Sequence, residues 1–251
     1  MKNTILSFDN VSLFYQSPES ETHALDNLSF SVGEGEFVSI VGPSGCGKTT
    51  ILSLISGLLS PSNGKIFVAG KEVNGRMDEV GYMLQRDQLF DWRCIRENVR
   101  LGLEIKKTKS PSALAYADEL LEKYGLSEFA KSYPRQLSGG MRQRVALIRT
   151  LVFRPKILLL DEPFSALDFQ TRLNVCEDVS SIIRSENKTA ILVTHDISEA
   201  VAMSDRVIVL SARPATVKNI FNIDIPGSPL ARRESPLFAS MFDSIWKEVR
   251  C

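Results

Sequence analysis

The chain has 251 residues, of which 43% are hydrophobic and 24% are charged, as expected for a globular protein with a full core. Thirty basic residues balance thirty acidic ones, so no overall field draws the chain to a polynucleotide or to an anionic membrane. No apolar run approaches the roughly 18 residues that a membrane-spanning helix needs.

The predicted elements start with strands that lead into a glycine loop. Apolar patterning predicts strands at 5–14, 28–32 and 36–41, then a helix from Lys48 to about Leu58. The first of these alternates as a strand does and lacks the apolar stretch of a signal peptide. Further strands are predicted at 65–70, 79–84, 156–161, 189–194 and 205–210. Since the last three are continuous apolar runs, we expect them to be buried parallel strands.

Between Arg93 and Leu151 the pattern becomes helical, with Gly and Pro breaks at 125 and 134. This change predicts a helical subdomain inserted between sheet strands. After Leu210 a strand is predicted at 216–225 and an amphipathic helix at 235–250. The apolar face of that helix predicts packing on the chain's own core, with a partner or a membrane surface as the alternative.

The glycine loop fits a phosphate-binding pattern, GxxxxGK[ST], at Gly42, Gly47, Lys48 and Thr49. Glycines let backbone N–H groups point inward at phosphate oxygens, and the following helix adds its positive N-terminal end. Lys48 is expected to reach the β- and γ-phosphates, and the Thr49 hydroxyl to ligate Mg²⁺. A turn that binds nothing is the alternative, but the flanking strand and helix favour a nucleoside triphosphate.

Two acids follow the apolar run at 157–160, so they are expected at the carboxyl edge of a buried strand, where ligands bind in open α/β sheets. Asp161 would serve the Mg²⁺ shell, and Glu162 would polarise an attacking water. His195 ends another apolar run and could contact the γ-phosphate. Simple capping of the strand ends is the alternative. His23 is predicted in a polar loop without a role.

A second anion-binding helix start lies at 137–151, LSGGMRQRVALIRTL, where Ser138 and two glycines precede an amphipathic helix. With this motif the sequence resembles the ATP-binding-cassette (ABC) ATPases, and specifically their importer subunits. LSGGMRQR looks like the family's signature motif, GPSGCGKTT its Walker A, ILLLDEP its Walker B and SALD its D-loop. Gln85 matches the Q-loop and His195 the switch histidine. The resemblance spans about 5–210, with every motif in family order.

The resemblance implies an α/β fold of the P-loop NTPase ABC-ATPase type: a mixed core sheet, an antiparallel β subdomain and an inserted helical subdomain at about 85–154. It places the nucleotide-binding domain at 1–211. Residues 212–251 form a short C-terminal extension, too short for a regulatory domain.

The resemblance also implies the site residues, with ATP as the nucleotide and Mg²⁺ as the metal. Catalysis is assigned to Glu162 and His195, and metal ligation to Thr49, Gln85 and Asp161. Nucleotide contacts are assigned to Tyr15, Gly42, Pro43, Ser44, Gly45, Cys46, Gly47, Lys48, Thr49, Thr50 and Gln85. Contacts in trans, from a second copy in a head-to-tail homodimer, are assigned to Ser138, Gly139, Gly140 and Asp168.

Two details of this assignment stay open at this point. Tyr15 matches the residue that stacks on adenine, but the adjacent Phe14 is an alternative. Cys46 lies near a helix N-terminus, which is expected to lower the pKa of its thiol and to favour alkylation that Mg-ATP would block.

The segment 89–99, LFDWRCIRENV, lies where family importers receive a helix of their membrane permease. It is similar to the corresponding segment of nitrate, sulfonate and taurine importers, although Asp91 stands where proline is usual. An exposed Trp92 fits this use, and internal packing of Trp92 is the alternative.

The predicted function is therefore the ATPase subunit of an importer of a small solute. Separate permease subunits would be its partners, with an extracytoplasmic solute-binding protein acting indirectly. Four cysteines without CxxC or metal spacing suit a reducing compartment, so we expect the chain at the cytoplasmic face of the inner membrane, peripherally bound. The alternatives are a soluble ABC ATPase that acts on nucleic acid or ribosomes, which neutral net charge disfavours, and an exporter subunit. No nucleic-acid partner is expected.

Overall fold

The computed structural model describes residues 3–16 and 20–250. In chain order its strands are β1 (Thr4–Gln16), β2 (Glu21–Gly33), β3 (Phe37–Val41), β4 (Asn63–Val68), β5 (Lys71–Glu72), β6 (Val80–Met83), β7 (Ile157–Asp161), β8 (Thr189–Val193), β9 (Arg206–Leu210) and β10 (Val217–Asn222). Its helices are α1 (Lys48–Ile55), α2 (Ile95–Ile105), α3 (Pro111–Lys123), α4 (Gly139–Leu151), α5 (Phe169–Ser185), α6 (Ile197–Met203), α7 (Pro229–Glu234) and α8 (Pro236–Arg250), with a 3-10 turn at Pro134–Gln136.

The strands form two sheets. One has four antiparallel strands in the order β2-β1-β4-β5, and the other has six strands in the order β10-β9-β3-β8-β7-β6. In the six-stranded sheet every pair is parallel except β9 and β10. The predicted mixed core sheet and antiparallel subdomain are thereby confirmed.

The core sheet separates two hydrophobic clusters. Every residue of β3, β7 and β8 is buried, as their continuous apolar sequences predict. Because side chains alternate along a strand, Leu158 and Leu160 pack with the helical subdomain, whereas Leu159 packs with the antiparallel sheet. The carboxyl edge of the core sheet therefore lies between the helical subdomain and the antiparallel sheet. The loops that carry the predicted site residues leave the sheet at this edge.

Some predicted boundaries differ from the structure. The strand predicted at 28–32 is the end of β2, which begins at Glu21 because its polar first half pairs with β1. His23 therefore lies in a strand rather than in a loop, stacked on Phe14 at 4.1 Å between ring centroids. The helix predicted from Lys48 to Leu58 ends at Ile55. Gly57 has a φ of +72°, and a Cβ there would clash with the backbone of Gly75.

The inserted helices α2, α3 and α4 lie between β6 and β7, and residues 85–94 form the loop that leads into them. Ser110 and Ser138 cap α3 and α4 by accepting hydrogen bonds from Ala113 N and Met141 N. The helical stretch therefore begins about ten residues later than the predicted start of the subdomain.

The residues after 211 extend the core sheet rather than standing apart from it. Strand β10 pairs antiparallel with β9, and α8 packs on α6 and β9. Ile245 of α8 is fully buried in a cluster with Val41 and Ile197, so the apolar face of α8 covers the chain's own core. Among the described residues no helix is both long and apolar enough to cross a membrane.

Candidate functional site

The loop at 42–47 connects β3 to α1 and is already shaped around its lysine. Gly45 and Gly47 adopt φ values of +74° and +115°, which favour glycine over any other residue. The Lys48 Nζ donates hydrogen bonds to the carbonyl oxygens of Gly42 and Pro43, each at 2.9 Å. The buried ammonium group thus holds the loop in a closed conformation. It also places a positive charge where an anion can bind.

The thiol of Cys46 differs from its predicted state. The side chain is 1% exposed, and burial raises the pKa of the thiol although the Lys48 charge acts in the opposite direction. The expected lowering of this pKa by the helix N-terminus is therefore wrong, because desolvation of the thiolate outweighs the nearby positive charge.

Iodoacetamide is expected to modify Cys94 faster than Cys46 in the folded protein, by on the order of tenfold or more, because the reactive thiolate at Cys46 is both scarce and covered. Cys94 is only partly buried. Mass spectrometry of the two tryptic peptides over time measures both rates. In urea the two rates should become similar, and equal rates in the folded protein would contradict the burial of Cys46.

Asp161, at the end of β7, receives two hydroxyl groups. The Thr49 hydroxyl donates to Asp161 Oδ1 at 3.3 Å, and the Tyr82 hydroxyl donates to Oδ2 at 3.1 Å. Burial raises the pKa of Asp161 and that of the Tyr82 phenol, and the Asp161 carboxylate adds to the rise at Tyr82. A cation beside this buried carboxylate would stabilise its charged form.

These groups fit Mg²⁺. Asp161 is 8% exposed and lies beside the Thr49 hydroxyl, and Gln85 lies beside the neighbouring Glu162. Hard oxygen donors of this kind, few in number, suit Mg²⁺, which keeps several waters and takes the rest of its ligands from substrate phosphates.

Glu162 lies at the centre of a second group of contacts. Its Oε2 lies 3.1 Å from His195 Nδ1 and accepts a hydrogen bond from Gln85 Nε2 at 3.4 Å. Gln85 also reaches Ser165 Oγ at 3.4 Å. The φ of Glu162 is +44°, an uncommon value for a non-glycine residue. The structure therefore brings both predicted catalytic residues and Gln85 together.

His195 lies two residues beyond the end of β8, so it belongs to a loop and not to the strand end. The next residue, Asp196, caps α6 by accepting hydrogen bonds from the N–H groups of Ser198 and Glu199. This cap fixes the loop that carries the imidazole.

Tyr15 rather than Phe14 faces the phosphate loop side of the molecule. The Tyr15 hydroxyl lies 3.1 Å from Thr50 Oγ1, whereas Phe14 stacks on His23. Tyr15 is 42% exposed, which leaves its ring free to receive a planar base.

The residues predicted to act in trans lie together. A Cβ at Gly139 would lie 2.9 Å from Leu167 of the SALD segment, so the signature motif and the D-loop are neighbours. Within residues 3–16 and 20–250, the side chains of Ser138 and Asp168 accept hydrogen bonds only from their own helix starts. Neither side chain hydrogen-bonds to the phosphate loop within that part of the chain, whereas Ser165 of the D-loop reaches Gln85.

Sequence reasoning missed three side chains. Tyr82 reaches Asp161 from the neighbouring strand β6, and the Arg213 guanidinium donates to Gly45 O at 2.7 Å. Glu199 is buried, which raises its pKa to about 7, and it accepts from the Thr194 hydroxyl just before His195. The one sequence signal for Tyr82 and Glu199 is a polar residue within an apolar run. No such signal marks Arg213.

Comparison with known proteins gives a family match, several relatives and similar solved structures. The family model described as "ABC transporter" matches residues 25–165. The chain is 47% identical over 249 residues to the uncharacterised ABC transporter ATP-binding protein YtlC of Bacillus subtilis, covering 98% of this chain and 96% of that protein. The matched region includes the phosphate loop, Gln85, the signature motif and Glu162.

Two further relatives are named for the import of a solute. The aliphatic sulfonates import ATP-binding protein SsuB of Bacillus licheniformis is 39% identical, with 91% of this chain and 88% of that protein covered. The nitrate import ATP-binding protein NrtD of Synechocystis sp. is 43% identical, with 81% of this chain and 77% of that protein covered.

Among solved structures, the dimeric post-hydrolysis state of the ATP-binding cassette MJ0796 bound to ADP and Pi has a TM-score of 0.72 and 33% identity, covering 87% of this chain and 98% of that one.

Proposed function

The chain belongs to the ABC transporter family and is an ATPase of that family, and from this premise we propose that it powers import of a small solute through separate membrane permease subunits. The solute class proposed is a small oxyanion or sulfonate, of the nitrate, aliphatic sulfonate or taurine kind. Two relatives named for nitrate and sulfonate import support this class.

In the proposed hydrolysis, Lys48 exchanges the carbonyls of Gly42 and Pro43 for the oxygens of ATP phosphates. Mg²⁺, held by Thr49, Gln85 and Asp161, would neutralise charge on those phosphates. The Glu162 carboxylate orients a water for attack and accepts its proton.

His195 and Gln85 complete this arrangement by positioning the Glu162 carboxylate. Both approach the same oxygen, Oε2, so they fix the direction in which Glu162 accepts a proton. His195 Nδ1 lies on Glu162, and its other ring nitrogen is left to contact the γ-phosphate.

The complete site is proposed to form between two copies. Ser138, Gly139, Gly140 and Asp168 of one copy would close over the ATP held by the phosphate loop of the other. The dimeric state of the similar cassette MJ0796 supports this, and within the described residues the side chains of Ser138 and Asp168 make only their helix-cap hydrogen bonds.

The observation that carries the permease proposal is a groove of about 550 Å³ between β6 and the helical subdomain. Exposed apolar side chains lie along it: Leu58, Leu84 and Ile105. Such a groove fits one apolar face of a helix, and we assign it to a helix at the cytoplasmic end of a permease subunit.

The wall of this groove is continuous with the catalytic group. Residues 84–90 form one loop in which Gln85 contacts Glu162 while Leu84, Gln88 and Phe90 line the groove. Arg149 holds the loop by donating to the carbonyls of Asp87 and Gln88, each at 2.6 Å. A helix that moves in the groove would therefore move Gln85 against Glu162.

Trp92 extends this surface. It is 73% exposed and stacks on Phe90 at 4.6 Å between ring centroids, so the alternative of internal packing is wrong. Buried Asn98 fixes the segment, since its amide nitrogen donates to the Phe90 and Arg93 carbonyls. Holding a large exposed aromatic side chain in one place is typical of a contact residue for a partner.

Trp92→Ala is expected to weaken association with the permease by about 10-fold or more, the typical cost of truncating an aromatic anchor, while ATP binding by the isolated chain stays unchanged. Co-purification with the detergent-solubilised permease complex, quantified per ATPase chain, measures the first effect. Leu237→Ala, another exposed apolar residue but on α8, is the matched control. Wild-type recovery of the Trp92→Ala complex would contradict the assignment.

The proposed function as a whole is tested by capture of the tagged chain from solubilised membranes and reconstitution of the captured complex in vesicles. Mg-ATP should drive uptake of nitrate or an aliphatic sulfonate when the solute-binding protein is supplied. Capture of ribosomal subunits instead of membrane proteins would favour the soluble alternative and overturn the import proposal.

A further inference from the structure

A cleft of about 270 Å³ lies beside residues 195–196, the histidine loop, and the first residues of α6, and the C-terminal helix lines its other side. The cleft is lined by that loop and by Phe242 and Trp246 of α8. The aromatic side chains of α8 therefore lie next to the loop that carries a predicted catalytic residue.

Helix α8 is anchored firmly enough to act as a fixed wall. Its Ile245 is fully buried in the cluster that contains Val41, directly before the phosphate loop, and Ile197, directly after the histidine loop. Packing of this density resists displacement, so α8 holds a constant position relative to both loops.

The two aromatic rings reinforce each other. Phe242 and Trp246 lie nearly parallel, with ring centroids 6.1 Å apart and an interplanar angle of 14°. The Arg250 guanidinium lies 5.1 Å from the Trp246 ring centroid. Trp246 is nevertheless 43% exposed, which is more than packing on the core alone requires.

The His195 side chain, by contrast, is held only weakly by its surroundings. Its side chain is 63% exposed, and its Nδ1 contacts Glu162 Oε2. The cap at Asp196 fixes the backbone that follows but not the imidazole. A mobile ring in this position would leave Glu162 for part of the time. The aromatic side chains of α8 face the loop across the cleft.

We propose that Phe242 and Trp246 are positioning residues for His195, so that the C-terminal helix controls how well the imidazole is aligned on Glu162 during ATP hydrolysis. The inference rests on the proposed function, since it needs His195 and Glu162 to act in turnover. It gives the C-terminal extension a role in catalysis beyond covering the core.

The proposal predicts an effect on turnover and not on ATP binding, because α8 acts through His195 and neither aromatic residue belongs to the phosphate loop. Trp246→Ala should lower kcat about 5-fold while KM for ATP stays within about 2-fold, and Trp246→Phe should restore most of kcat. Leu237→Ala, on the same helix and 58% exposed, is the matched control and should match the wild type.

A spectroscopic measurement separates positioning from a merely structural role. The chain has two tryptophans, so Trp92→Phe leaves Trp246 as the reporter of the cleft. In the Trp92→Phe, Glu162→Gln protein, Mg-ATP should change Trp246 emission and Mg-ADP should not, because only ATP offers a γ-phosphate to His195. Adding His195→Ala should abolish the difference.

The outcomes are distinguishable. Wild-type kcat for Trp246→Ala, or equal emission with ATP and ADP, would overturn the positioning proposal. A fall in kcat that Trp246→Phe does not restore would also overturn it. If the wild-type protein showed no ATPase activity, the proposed function would fail, and the difference in emission between ATP and ADP would still decide whether Trp246 senses the histidine loop.

Discussion

Glu162→Gln is expected to bind Mg-ATP but to lose turnover by about 10²–10⁴-fold, the usual cost of removing a positioned base. Glutamine keeps the shape of the side chain and can still contact Gln85 and His195, so the loop geometry should survive. It cannot accept a proton from the attacking water. A phosphate-release assay measures turnover, and equilibrium binding of a fluorescent ATP analogue measures affinity.

The same variant tests the shared site. Because ATP bound between two phosphate loops and two signature motifs is no longer hydrolysed, Glu162→Gln should accumulate as a dimer when Mg-ATP is added. Size-exclusion chromatography with and without Mg-ATP shows this directly. Hydrolysis near the wild-type rate would refute Glu162 as the base, and an inactive protein that stays monomeric would refute the two-copy site alone.

Lys48→Ala is expected to weaken ATP binding by about 10- to 150-fold, which corresponds to the roughly 1.5–3 kcal/mol of one hydrogen bond to a charged group. The loss has two physical sources. The variant lacks the ammonium that would contact the phosphates, and it lacks the two hydrogen bonds, to Gly42 O and Pro43 O, that hold the empty loop closed. Isothermal titration with Mg-ATP measures the affinity.

Lys131→Ala, which removes an exposed lysine from the helical subdomain, is the matched control for charge and should bind ATP as the wild type does. Lys48→Ala should also stay monomeric in Mg-ATP, in contrast to Glu162→Gln. Unchanged affinity in Lys48→Ala would mean that the loop at 42–47 does not hold the phosphates.

The proposed dimer also explains why the signature motif is built as it is. A Cβ at Gly140 would lie 2.7 Å from Val175 of α5, so this glycine lets α4 approach α5 closely. The Ser138 cap leaves the start of α4 exposed at the surface. An anion could reach that helix end only from outside the chain, which is where the second copy is expected.

Features with a local cause can be predicted from the amino-acid sequence. Glycines with a fixed spacing specify the phosphate loop, and continuous apolar runs specify β7, β8 and β9, because a strand buried on both faces tolerates little else. The order of motifs was sufficient to predict the family and the mixed and antiparallel sheets. The strand β2 was predicted too short because its first residues are polar, and only pairing with β1 makes them a strand.

Tertiary structure alone decided the contacts between residues that are distant in the chain. Tyr82 lies 79 residues from Asp161, and Arg213 lies 168 residues from Gly45, so no local pattern relates them. The same holds for Cys46, whose position near a helix N-terminus predicts a lowered pKa, whereas burial under the folded loop raises it. Trp246 comes beside His195 only because β10 turns the chain back and α8 packs on α6. Spacing and hydrophobicity act over a few residues, but desolvation and contact depend on which distant segments the fold brings together.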